Sequence, residues 1–200
     1  MFRTTINLIL NEVWPMLLII TVIVSSIRIT YIIMNKKKFV LYKELIYLSA
    51  LLYVLSLFYT VTFQDVSWST SNFIPFKEMF RYEFGSKIFF KNILGNMIMF
   101  VPFGLFTSYV LKNKKIVPIV ILSIIASATI ETTQLVIGRV FDVDDIMLNI
   151  VGAIVGFIIY ILSFKINNKL PSCLKKEWVY NIVLVAIFTF AIIYLGGWMF

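Results

Sequence analysis

Two hundred residues, 60% of them apolar and only 14% charged, carry a net charge of +8 and not one histidine. Soluble domains hold roughly 25% charged residues, so this chain has too little polar side chain to coat a water-facing globule, and a bilayer is its natural solvent. The missing histidine and the single cysteine, Cys173, exclude histidine triads, histidine or cysteine metal sites and an internal disulfide framework.

A membrane span needs about 20 mostly apolar residues at about 1.5 Å rise each. Six segments meet that demand: Val13–Met34, Leu45–Thr62, Ile93–Leu111, Ile116–Ile137, Ile146–Phe164 and Val179–Gly196. They predict an all-α, polytopic transmembrane helix bundle of about six spans. Residues 1–12 read as a short amphipathic lead-in at the interface. A cleaved signal peptide ending near Ser25–Ser26 is the alternative to an uncleaved first span, but apolar character resumes beyond Arg28 through Ile33 and favours the span.

Basic residues set the orientation. The loop after the first span holds Lys36, Lys37, Lys38 and Lys43; the loop after the third holds Lys112, Lys114 and Lys115; that after the fifth holds Lys165, Lys169, Lys175 and Lys176. Against these, and Arg28 snorkelling to the same side, stand only Glu44 and Glu177. Both termini are therefore expected outside and three basic loops in the cytoplasm. Short clusters between apolar runs fit membrane topology better than a nucleic-acid stripe, so no nucleic-acid partner is expected.

The outer connection 63–92 carries Trp68, Phe73, Phe76, Phe80, Tyr82, Phe84, Phe89 and Phe90 among polar residues. It reads as a re-entrant or interfacial outer loop, with a plain aromatic belt as the bland alternative. The third span opens with Asn92 and Asn96, four apart and so on one α-helical face, then Pro102 and Gly104. A kinked helix whose asparagines bond a neighbour explains them equally well. In the fourth span, Glu131 and Gln134 share a face, with Glu131 about 10 Å inside the outer helix end. A carboxylate at that depth must be neutralised, paired or wetted, and Arg139 is the cation expected nearby; a purely structural hydrogen bond is the competing explanation. Asp142, Asp144 and Asp145 precede or open the fifth span, where one of them is accounted for by capping. Asp145, Asn149, Gly152 and Gly156 then form one helical stripe, polar at its outer end above a glycine pair that allows close helix contact.

Asn92, Asn96, Glu131, Gln134, Arg139, Asp145 and Asn149 fall within the outer parts of their helices and are expected to converge on one outward-opening polar pocket; the candidate functional residues are Asn96, Glu131, Gln134, Arg139, Asp142, Asp144, Asp145 and Asn149. The chemistry leaves several functions open. One is binding of an amphiphile at the outer leaflet, with carboxylates as acceptors and Arg139 as a fork donor. A second is a membrane-embedded hydrolase or transferase, Glu131 acting as base and the aspartates holding Mg²⁺ or Mn²⁺; Ser123, Ser127 and Thr133 have no histidine to activate them. No cofactor or metal is assigned. Transport is disfavoured, because no polar residue stands midway on the inner half of several spans.

These positions resemble the VanZ-like family. The matching boxes are Asn72-Phe-Ile-Pro75-Phe76, then Asn96 with Phe100, Pro102 and Gly104, then Glu131 with Gln134, Arg139, and Asp142, Asp144 and Asp145 followed by Asn149 and Gly152. The boxes run from Asn72 to Leu162. The resemblance implies a multi-pass protein of the bacterial plasma membrane in contact with lipids, in a family associated with teicoplanin resistance in Gram-positive bacteria, and a lipoglycopeptide or a lipid-linked wall precursor as the amphiphile bound. It also divides the chain into an N-terminal membrane segment with two spans (1–71), a VanZ-like core with three (72–164), and a basic loop with a C-terminal span (165–200).

Overall fold

The computed structural model describes residues 2–63, 71–81, 86, 89–112 and 114–196. Six α-helices account for nearly all of them: α1 Phe2–Met34, α2 Leu41–Phe63, α3 Gly95–Leu111, α4 Ile116–Val136, α5 Val143–Lys169 and α6 Glu177–Gly196. Five stretches are long and apolar enough to cross a membrane: Val13–Met34, Leu41–Thr62, Asn92–Leu111, Ile116–Val136 and Val143–Lys169. In α6 the apolar run Glu177–Phe190 is shorter. The backbone of residues 2–12 continues without interruption into α1, with Pro15 inside the helix.

The chain forms two compact units, Met1–Thr60 with Lys169–Phe200, and Val61–Asn168. In the first, Arg28 grips Glu44 through two nitrogens at 2.7 and 3.1 Å, joining α1 to α2. The Tyr42 amide donates to Asn181 Oδ1 at 3.0 Å, joining α2 to α6. The second unit holds every candidate site residue.

That second unit is built on close contact between α3 and α5. A methyl group at Gly152 would stand 2.0 Å from the Met97 carbonyl oxygen, one at Gly156 2.0 Å from that of Val101, and one at Gly104 1.9 Å from that of Ala153. In lipid there is no hydrophobic drive to pull helices together, so backbone approach through small residues and the packing it allows hold the pair. Met97 faces Gly152 and Val101 faces Gly156, so partner numbers rise together and the two helices run in the same direction. Helix α4 runs the other way: Asn149 Nδ2 donates to Ser127 Oγ at 2.9 Å, and Glu131 meets Asp142. Its buried face, Ile119, Ser123, Ser127 and Glu131, repeats every four residues.

Two findings correct the sequence reading. The third span opens with a π-helical turn, Phe90–Leu94. The α-helical spacing that would align Asn92 with Asn96 does not apply across its wider winding. Buried polar residues also lie away from the helix ends that carry the candidate residues. Ser108 and Ser123 are fully buried, and each donates to a carbonyl of its own helix, Gly104 at 2.6 Å and Val120 at 2.9 Å.

Overpacking a backbone contact that cannot yield costs about 1–3 kcal/mol or more. Gly152→Ala should therefore lower the thermal unfolding midpoint of the detergent-solubilised protein. Gly95→Ala should leave it unchanged or raise it, because nothing lies within 4 Å of the added carbon and alanine is the better helix former. Equal losses from both would remove the seam from its structural role.

Candidate functional site

The site starts where α4 ends. Gly138, at φ +83°, takes the left-handed position that terminates a helix. Its amide donates to Leu135 O at 3.2 Å and that of Arg139 to Gln134 O at 2.8 Å, the paired bonds of a Schellman turn. The reversal aims the chain back toward the start of α5. Arg139 then directs its guanidinium to the Val61 carbonyl in the last turn of α2. A cation there satisfies an orphan carbonyl and complements the negative end of the helix. Arg139 lies within Coulombic range of Glu131, as expected, but its guanidinium makes its hydrogen bond to Val61 O and no direct ion pair with that acid.

The aspartates tie a distant segment to this corner. Asn72, 2% exposed, forms a parallel bridge with Asp142: its amide donates to Phe141 O at 2.8 Å, and its carbonyl accepts from the Val143 amide at 3.1 Å. Its side chain donates to Asp142 Oδ1 at 2.9 Å and accepts from the Ile74 amide at 3.1 Å, an Asx turn. Phe73 stacks on Phe141 with ring centroids 5.1 Å apart. Asp144, 1% exposed, accepts the amides of Phe76 at 2.5 Å, Glu78 at 2.8 Å and Met79 at 3.1 Å. Phe76 is in the left-handed region at φ +67°, a conformation that costs a non-glycine residue about 1–2 kcal/mol. It persists here while the amides around it meet the carboxylate.

Beneath this segment the remaining candidates connect. Glu131, 2% exposed, accepts the Asp142 amide through Oε2 at 2.9 Å. Asp142 Oδ1 also accepts the Asp144 amide at 2.9 Å. Asp145 accepts from Asn96 Nδ2 and lies within Coulombic range of Glu131, Asp142 and Asp144. Asn149 reaches Ser127. Gln134 is half-buried, one turn beyond Glu131. Asn92 makes no hydrogen bond to the cluster among the described residues.

The candidates are joined in a packed network, in which Glu131, Asp142 and Asp144 accept main-chain N–H groups and Asp145 accepts the Asn96 side chain. Two open surface grooves, one along Ile125–Val136 on α4 and one along Asn181–Phe190 on α6, take in none of the candidate residues. Among the described residues no three carboxylates or thiols converge as a metal-ligand set. Asn72 and Ser127, absent from the candidate list, are both part of the network. The Asn72-Phe-Ile-Pro75 turn pattern was a usable signal for the first; a lone serine in a span gave none for the second.

A protein-family model, VanZ/LLP1, matches residues 44–165. The chain belongs to the VanZ/LLP1 family. Neither the curated proteins nor the solved structures contain a significant match. The family match takes in α2 as well as the motif-bearing region, and α2 is the helix whose last turn Arg139 caps. With its five long apolar helices, this VanZ/LLP1 member is a multi-pass membrane protein.

Asp142 lies outside the spans, and its carboxyl is pushed above the usual aspartate range, first by burial; the hydrogen bonds from Asn72 and the Asp144 amide oppose this, and the charges of Asp144 and Glu78 add to it. A raised folded-state value means that the ionised form weighs against folding at neutral pH, and that this penalty is lifted as pH falls through the folded value toward the ordinary one. Wild type should gain stability relative to Asp142→Asn over that acid window, as read from unfolding midpoints; a constant difference would contradict the assignment. Separately, Asp144→Ala strands three amides and should destabilise by at least about 3 kcal/mol, with faster hydrogen exchange at Phe76, Glu78 and Met79. Unchanged exchange there would refute the anchoring role.

Proposed function

We propose that this protein acts in the bacterial plasma membrane in tolerance of glycopeptides of the teicoplanin type, by binding an amphiphile at the outer leaflet. The ligand is a lipoglycopeptide or a lipid-linked wall precursor. One observation carries the reading: the polar residues of α3, α4 and α5 gather beneath the 71–81 segment, whose Phe73 and Phe80 side chains remain 66% and 83% exposed. Hydrogen-bonding and apolar surface meet at one place, as an amphiphile requires.

In this reading the 71–81 segment is a lid. When it lifts, Glu131, Asp145 and Asn96 present acceptors and a donor to ligand amides or hydroxyls, while Phe73, Ile74 and Phe80 receive the apolar part. Asp142 and Asp144 hold the lid closed, Gln134 stands at the rim, and Arg139 is engaged by Val61 O instead of forking onto a ligand acid. Binding is favoured over hydrolysis or group transfer because Ser123 donates to its own helix and Ser127 is held by Asn149. Of the aspartates proposed as metal ligands, Asp142 and Asp144 already accept main-chain N–H groups and Asp145 accepts the Asn96 side chain.

Expression of wild type in a sensitive host should raise its teicoplanin tolerance. Glu131→Gln and Asp145→Asn, each at wild-type abundance, should return it to the level of the empty host. Phe80→Ala should weaken tolerance of acyl-tailed glycopeptides more than of tail-less ones. Full tolerance in both carboxylate variants would end the proposal.

A further inference from the structure

The first compact unit carries a cluster of charge that the ligand reading leaves unused. Lys36, Lys37, Lys38 and Lys43 lie in or beside the α1–α2 turn, and Lys176 immediately precedes α6. Lys38 Nζ meets Glu177 at 2.7 Å, the Tyr42 amide meets Asn181, and the Tyr42 and Tyr180 rings lie 5.3 Å apart. These contacts put the two basic segments on one face.

The acids of that face are already matched. Glu44, in the first turn of α2, is held by Arg28, and Glu177, in the first turn of α6, by Lys38. Lys36, Lys37, Lys43 and Lys176 remain without an acidic partner among the described residues. Lys37 lies 4.7 Å from the Tyr31 ring centroid and donates to its hydroxyl at 2.7 Å, an arrangement that orients the ammonium without neutralising it. The amino ends of α2 and α6 add the positive poles of two helix dipoles. Phe39, Leu174 and Trp178, all exposed, supply apolar surface beside the lysines.

We infer that this face is a docking surface for anionic phospholipid, its phosphate held among Lys36, Lys37, Lys43 and Lys176 and its acyl chains lying along Phe39, Leu174 and Trp178. Charge complementarity selects an anion, and the neighbouring apolar side chains select a lipid over a free one. The inference is independent of the ligand bound at the Glu131 network.

The test uses the purified full chain in neutral detergent, titrated with phosphatidylglycerol, phosphatidylcholine or inorganic phosphate, and reads the thermal unfolding midpoint and the lipid adducts seen by native mass spectrometry. Phosphatidylglycerol should raise the midpoint and remain bound, whereas phosphatidylcholine and phosphate should do neither. The shift should vanish near 1 M salt, where screening acts within about 3 Å. Each lysine removed should weaken apparent affinity about five-fold, corresponding to about 1 kcal/mol. Lys36→Gly is the decisive variant. Lys36 sits in the left-handed region at φ 46°, so glycine relieves the backbone and should preserve or raise the lipid-free midpoint while reducing the lipid-induced shift. Equal shifts with both lipids, a matching shift with phosphate, or a full salt-resistant shift in Lys36→Gly would overturn the inference.

Discussion

Asp144 is a carboxylate with almost no water around it, and three main-chain N–H groups of the 76–79 turn fill its two oxygens. The arrangement reconciles two demands that are separately expensive: a buried charge needs donors, and an irregular turn beside a membrane helix needs acceptors. Because Asp144 belongs to the first turn of α5, satisfying both fixes the turn to a transmembrane helix. Asn72 repeats the device with its backbone and side chain against Asp142. The segment 71–81 thus has a defined place even though it contains no regular element of its own.

Below it, glycines determine which polar groups meet. Contact of Gly152 with the Met97 backbone brings the adjacent Asn96 within reach of Asp145, about two turns before Gly152. The parallel course of α3 and α5 puts both of their polar starts at the same end, and antiparallel α4 returns Glu131 to that end. Close packing and polar convergence follow from one crossing geometry.

The helices and their approximate limits were legible because 20-residue apolar runs admit few alternatives. Helical rise converts residue number into height, and Asn96 does meet Asp145, but Asn149 bonds Ser127, one turn of α4 away from Glu131. Partner choice was not legible. Arg139 was expected on an acid, but its guanidinium reaches a carbonyl from a helix nearly eighty residues earlier, and spacing cannot reveal such a contact. The π-helical turn at Phe90–Leu94 likewise altered which asparagine faces the cluster, because a single extra residue per turn rotates everything before it. Trp68, Tyr82 and Phe84 of the outer loop lie outside the described residues.

The glycine seam also limits how the core can rearrange. With carbonyl oxygens of α3 and of Ala153 lodged where side chains would otherwise stand, sliding one of these helices along the other would drive backbone into backbone. They are therefore confined to travelling together, as a single stiff post. The proposed lid would then open by exchanging its hydrogen bonds to Asp142 and Asp144 and the Phe73–Phe141 stack, with this post left unmoved.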